Sequence, residues 1–203
     1  MGTPKLKIAV LGSTKGTDLQ AIIDEIAKGR LAAEIVAVGS DKEGAFILER
    51  AKKHKIYNFS VNYKNFQTRE EAERTIVQEL HGRRSDLILL IGFMKILSPY
   101  FIREFRARIW NIHPSLLPKY AGGMNFDVHR LVLMENEKES GCTLHEVTEK
   151  VDGGKIIMQK KCKIDANETA QTLKDKVQKL EQECLLEAIK MVIEGKLGIG
   201  GKK

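Results

Sequence analysis

One run of the chain, Asp86-Leu87-Ile88-Leu89-Leu90-Ile91-Gly92, restricts the fold more than any other. Its apolar residues do not alternate with polar ones. A strand built from them therefore has both faces covered, as at the centre of a parallel sheet. Parallel neighbours need crossover helices, and the preceding residues supply them. Ile8 to Leu11 reads as a buried strand, Gly12 to Thr17 as a small-residue turn, and Leu19, Ile22, Ile23 and Ile26 fall at helical spacing. Ile35 to Val38 is a second strand, 45–54 a second helix, Tyr57 to Val61 a third strand and Glu70 to Leu80 a third helix. This alternation predicts right-handed βαβ units in an α/β, doubly wound, mostly parallel sheet.

The second half changes character. Cys142 to Val147 alternates, and so, less cleanly, does Ile156 to Gln159. The two read as neighbouring strands joined through Asp152-Gly153-Gly154, and a local antiparallel pair is the expectation. A long C-terminal helix is expected from about Asn167, taken as its N-cap, to Glu194. Leu173, Val177, Leu180, Cys184, Ala188 and Met191 form its buried stripe, and Gly195 ends it. The expectation is one domain over residues 1–203, with 196–203 as a flexible tail.

A net charge of +7 favours anionic partners such as phosphorylated metabolites. The basic residues are scattered and not interleaved with aromatics, which argues against nucleic acid. The three cysteines, Cys142, Cys162 and Cys184, lie far apart without metal-ligand spacing, so no metal is expected and a reducing compartment is. Lys5 and Lys7 interrupt any apolar leader, and the longest apolar run is far short of a membrane span. A cytoplasmic protein without a membrane partner is the expectation.

The chemistry concentrates in Trp110-Asn111-Ile112-His113-Pro114-Ser115-Leu116-Leu117-Pro118-Lys119-Tyr120. Asn111 and His113 are two apart on a predicted strand, so both face one side. An amide and an imidazole there can hold a developing oxyanion. Taken alone, the pair is more readily a core histidine and asparagine satisfied by backbone, and the company around it reverses that weighting. Asp152, before two glycines, could be a turn residue or a carboxylate reaching His113. With no serine or cysteine in a nucleophile motif, direct acyl transfer to an amine is favoured over a covalent intermediate. The turn Gly12 to Thr17 precedes a helix N-terminus, where backbone N–H groups attract anions; it matches neither dinucleotide nor ATP signatures. Met94 to Leu97 follows the central strand's C-terminal end, where α/β ligand sites gather. His145 is read either as a donor orienting Asn111 or as a solvated strand histidine. Gln178 and Glu181 share one side of the long helix.

Asn-Ile-His-Pro-Ser-Leu-Leu-Pro-Lys-Tyr resembles the signature of the folate-dependent formyltransferases, and most of all the glycinamide ribonucleotide formyltransferases of purine biosynthesis. Gly-Phe-Met-Lys-Ile-Leu-Ser, Val-Asp-Gly-Gly and Leu-Gln-Ala-Ile-Ile-Asp stand in the same order as in that family. The resemblance runs from about Ile8 to Glu194. It implies a Rossmann-like formyltransferase fold and transfer of the formyl group of 10-formyltetrahydrofolate, without a metal, to the amine of phosphoribosylglycinamide. It implies Asn111, His113 and Asp152 as the catalytic triplet, with His113 the proton donor. Gly16, Thr17 and Asp18 would hold the substrate phosphate, and Gln178, Lys179, Leu180 and Glu181 the ribose and glycinamide. Arg69, Met94, Lys95, Ile96, Leu97, Asn111, Thr148, Glu149, Lys150, Val151 and Asp152 would line the folate pocket. The N-terminal half would form the phosphate side and the C-terminal half the folate side, in a monomer or homodimer.

Three departures from the family pattern stand out. Thr14, Lys15 and Asp18 replace a glycine-rich turn ending in asparagine. Asp18 sets a negative charge near a dianion, unfavourable unless it points away or Lys15 offsets it. Lys95 stands where arginine is usual, and Ala121 to Val128 is longer than in common members, predicting a mobile loop from Pro118 to His129. Competing functions are hydrolysis of 10-formyltetrahydrofolate, formylation of methionyl-tRNA or a sugar nucleotide, and a non-catalytic folate- or nucleotide-binding module. The hydrolases and tRNA enzymes resemble this core joined to a further domain.

Overall fold

A computed structural model describes residues 5–123 and 126–200. Its elements run β1 (Leu6–Leu11), α1 (Thr17–Ala27), β2 (Ala33–Ser40), α2 (Phe46–Lys53), β3 (Asn58–Ser60), α3 (Arg69–Gly82), β4 (Leu87–Leu90), α4 (Pro99–Glu104), β5 (Ile109–His113), α5 (Phe126–Met134), β6 (Glu139–Glu146), β7 (Ile156–Lys163) and α6 (Ala170–Ile193). The strands form one sheet in the order β3-β2-β1-β4-β5-β6-β7. The pairs among β3, β2, β1, β4 and β5 are parallel, and β5–β6 and β6–β7 are antiparallel. The expected doubly wound α/β sheet and the antiparallel pairing of its last two strands are both present.

The missing alternation in β4 has a direct cause. Leu87 and Leu89 pack into the core on the α1 and α6 side, with Ile8, Val10 and Leu173. Ile88 and Leu90 pack into the opposite core, with Ala72, Ile76 and Phe101 from α3 and α4. Each fully buried aliphatic side chain contributes about 1.5–3 kcal/mol. A polar residue anywhere along β4 would forfeit that on one face or the other.

The strand order reverses between β1 and β4, since β2 and β3 extend one way and β5 the other. The turns leaving β1 and β4 diverge there and open a crevice at the strands' C-terminal ends. That crevice holds the site described below.

Three local expectations are corrected. α6 is capped by Thr169 and not by Asn167: the Thr169 hydroxyl accepts from the Thr172 N–H at 3.2 Å, and Thr172 Oγ1 accepts from the Thr169 N–H at 3.0 Å. This reciprocal pair satisfies two donors at once, which Asn167, two residues too early, cannot do. Residues 196–200 are not a loose tail, because Ile199 is buried and the Gly200 N–H donates to the Ala107 carbonyl at 3.0 Å; 201–203 lie outside the described residues. The segment read as a loop from Pro118 to His129 is helical from Phe126 onward, while Met124 and Asn125 lie outside the described residues. A short helix, α4, follows the Met94 to Leu97 segment: Ser98 caps it and Pro99 opens it. Among the described residues, no helix is long and apolar enough to cross a membrane.

Candidate active site

β5 carries the central pair. Trp110 and Ile112 are buried in the core, which turns Asn111 and His113 to the other side. The antiparallel register sets Asn111 opposite His145 of β6 and His113 opposite Thr143. Asn111 Nδ2 lies 3.1 Å from His145 Nε2. His145 Nδ1 donates to the Glu146 carbonyl at 2.9 Å, so Nδ1 carries the proton and Nε2 accepts from the amide when the ring is neutral. His145 is 2% exposed, so it orients Asn111 and is no solvated strand residue.

Asp152 reaches both imidazoles. Its Oδ2 is 3.5 Å from His113 Nδ1 and its Oδ1 is 3.4 Å from His145 Nε2. The turn that presents it is strained: Asp152 has φ 50°, a region that non-glycine residues rarely enter. Gly154 permits the turn, since a Cβ there would stand 1.8 Å from the Glu146 carbonyl oxygen. The Gly122 N–H donates to Asp152 Oδ2 at 2.8 Å, and the His113 Nε2–H donates to the Tyr120 carbonyl at 3.2 Å. The segment after Pro118 thus folds back over the His–Asp pair.

Burial holds the His113 pKa below the ordinary imidazole value, against the opposing pull of the Asp152 charge. Burial works to raise the Asp152 pKa. The Gly122 N–H, the contact with His145 and the attraction of either imidazole once it is protonated outweigh it and hold the carboxyl below its usual value. The resting pair is therefore a carboxylate beside a neutral imidazole. His113 becomes a cation only by receiving a proton, and Asp152 stands ready to stabilise that cation.

These side chains line a cleft of about 430 Å3. Met94, Lys95, Ile96 and Leu97 form one stretch of its wall, and Thr148 and Val151 line it as well. Ser13 fastens the first stretch: its hydroxyl donates to Asp41 Oδ1 at 2.5 Å and accepts from the Met94 N–H at 2.9 Å. Glu73, fully buried, accepts from the Ser98 N–H at 3.0 Å and also from its hydroxyl, which fixes the wall's far end. Lys95 reaches to 3.8 Å from Asp41.

The other end of the cleft is built from Gly16, Thr17 and Asp18 at the start of α1 and from Gln178 and Glu181 on α6. Gly16 has φ 64°, and a Cβ there would meet Ile47 Cγ1 at 2.5 Å. Gln178 Nε2 donates to Thr17 Oγ1 at 2.6 Å, tying α6 to the turn. Asp18 does not point away: it is 5% exposed and lines the cleft. Burial pushes its carboxyl up to about 7, opposed by a hydrogen bond from Gln182. Glu181 is pushed well above the usual carboxylate range by burial and then by the Asp18 charge.

Five residues expected at the site lie off the cleft wall. Lys179 is exposed and Leu180 packs on the core, because at about 100° per residue they turn away from the cleft side of α6 that carries Lys174, Gln178 and Glu181. Glu149 and Lys150 are exposed at the turn. Arg69 is exposed and acts indirectly, donating from Nη1 to the Ile96 carbonyl at 3.0 Å. Sequence reading left Lys174 and His129 without a role, yet both line the cleft. Lys174 stands one turn before Gln178, so helical spacing could have found it. His129 is 2% exposed with Nδ1 unpartnered, and burial, Lys174 and His113 press its pKa down to about 4. Ser13 and Asp41 carried no signal, since they meet only in space.

Residues 6–189 match the formyl transferase family. The chain is 41% identical over 192 residues to the trifunctional purine biosynthetic protein adenosine-3 of Drosophila melanogaster, covering 93% of this chain but 14% of that protein. It is 40% identical to the phosphoribosylglycinamide formyltransferase of Haemophilus influenzae, covering 94% of this chain and 89% of that one. The crystal structure of glycinamide ribonucleotide transformylase 1 from Symbiobacterium toebii superposes with a TM-score of 0.90 at 32% identity, over 98% of this chain and 93% of that one. With its signature strand, its Val-Asp-Gly-Gly turn and its sheet order all in place, the chain belongs to the formyl transferase family.

Proposed function

We propose that this chain transfers the formyl group of 10-formyltetrahydrofolate to the amine of phosphoribosylglycinamide, in purine biosynthesis. One observation carries the reading: Asn111, His113 and Asp152, from segments far apart in the chain, converge on one cleft that also takes in Met94 to Leu97 and the Gly16 to Asp18 turn.

The amine nitrogen attacks the formyl carbon directly. As the C–N bond forms, the carbonyl oxygen gains charge and the Asn111 amide donates to it. The amine must lose a proton, and Asp152, ionised at rest, is the base that accepts it. Across the 3.5 Å contact, His113 takes up a proton and returns it to the N10 nitrogen of folate as the C–N10 bond breaks. Proton count balances: one leaves the amine and one arrives at N10. Met94 to Leu97 and Val151 supply the apolar wall and backbone edge for the pterin, and no step requires a metal. The relatives named for this reaction, similar across nearly their whole length, support the same substrates.

Incubation with both substrates tests the proposal. Mass spectrometry should find formylated ribotide and tetrahydrofolate in equal amounts. Release of formate alone would replace transfer by hydrolysis.

A further inference from the structure

The phosphate end of the cleft holds a carboxylate where an anion is expected to bind. Asp18 is the second residue of the 11-residue helix α1, within the reach of its free N–H groups. Its Oδ1 is buried without a hydrogen-bond partner, and the residue lines the cleft. Thr17 next to it has its oxygen occupied by the Gln178 amide, which leaves its hydroxyl proton available to a ligand. Two features of this turn invite an anion, and one ionised oxygen would repel it.

The surroundings do not neutralise that oxygen. From α6, the half-buried Glu181 carboxyl acts on Asp18, Gln182 donates to the Asp18 carboxylate, and Lys174 and Cys184 act on Glu181. From α5, His129 lines the same cleft beside Lys174. From the turn, Lys15 is exposed and lines the same cleft, but it is not among the groups that act on the Asp18 carboxyl. From α2, Arg50 is engaged with the Lys15 carbonyl at 2.7 Å and with Gln20 Oε1 at 3.1 Å. A second carboxyl at close range favours retention of a proton by the pair.

We propose that Asp18 enters the substrate complex as a neutral carboxylic acid and donates its O–H to a phosphate oxygen of the amine substrate, so that binding takes up a proton from solvent. The inference rests on the substrate class proposed above. The balance is simple: one proton passes from solvent to Asp18 as the phosphate seats, no substrate bond breaks, and the proton returns to solvent when product leaves. A dianion at this turn raises the proton affinity of Asp18 further, so uptake is largest at pH values where the empty site is ionised.

Calorimetry of the full chain with phosphoribosylglycinamide, at pH 8 in two buffers of different ionisation enthalpy, counts the protons. The wild type should take up about one proton more than Asp18→Asn, and its affinity should fall about tenfold per pH unit relative to that variant above pH 7.5. Glycinamide riboside, which lacks the phosphate, should give no difference between the two proteins. Glu181→Gln should retain the extra proton. Equal uptake by wild type and Asp18→Asn overturns the inference, as does loss of the extra proton in Glu181→Gln alone. Should Asp18→Asn fail to fold, equal uptake of ribotide and riboside by the wild type overturns it. Formylation of the ribotide without Asp18-dependent uptake defeats this inference alone; binding of the ribotide without formylation defeats the proposed reaction alone.

Discussion

His113 Nδ1 lies 3.5 Å from Asp152 Oδ2, while the opposite ring nitrogen donates to the Tyr120 carbonyl at 3.2 Å. The imidazole is thereby held from both ends, with its second tautomeric position facing a carboxylate. Burial keeps it neutral at rest, and the carboxylate stabilises it once a proton arrives.

Replacement of Asp152 by asparagine keeps the shape of this contact and removes its charge. We expect folate binding to persist, measured by fluorescence titration, while kcat falls about 10²–10⁴-fold, the range for loss of a positioned acid–base group. Unchanged turnover would remove Asp152 from the proton path.

The pH profile follows from the two directions of shift. The reaction begins with Asp152 ionised and His113 neutral, so kcat/KM should fall as pH drops below the ordinary imidazole value of 6.5, through the lower pKa of His113. Asp152 is held below the ordinary carboxyl value of 3.8 and is still ionised where that fall begins. The residual activity of Asp152→Asn should lose activity at a more acidic pH, because the charge that favoured the imidazolium is gone. A limb that moves upward would contradict the assignment.

His145→Ala tests the amide rather than the acid. The Asn111 side chain would lose the ring that fixes it at 3.1 Å. Removing an oxyanion donor outright costs about 10²–10³ in kcat. We expect Asn111→Ala near that range and His145→Ala below it, with KM for folate little changed. Steady-state kinetics that place the whole loss in KM would make both residues binding groups.

Asp18 links the site to stability. An unfolded aspartate loses its proton near 3.8, while the folded one holds it until about 7. Between those values the folded state binds more protons, so stability from this group falls as pH rises through that window and stays flat above it. Asp18→Asn has no such dependence. Its melting temperature relative to wild type should therefore climb between pH 4 and pH 7, by roughly 2–4 °C for each kcal/mol recovered. A constant difference across that range in calorimetric melts would mean that Asp18 is not held protonated.

The central strand, the α/β class and the shared face of Asn111 and His113 were legible because each rests on local periodicity, over a few adjacent residues. The same holds for the cleft side of α6 carrying Gln178 and Glu181. The pairing of Asn111 with His145 needed the β5–β6 register, which the alternation of β6 alone leaves free to slip. The Ser13–Asp41–Met94 link joins the ends of three strand-and-turn units, and no spacing in the chain announces it.

From the residue order alone came the elements, their buried faces and the set of chemical groups that could act on a formyl carbon. Only the packed chain decided that Asp152 touches two histidines, that Asp18 is buried in the cleft, and that 196–200 is anchored at Ala107. The division has one physical reason. Periodic burial is fixed within a turn or a few strand residues, whereas contact distance, desolvation and charge state depend on which remote segments the sheet order brings together.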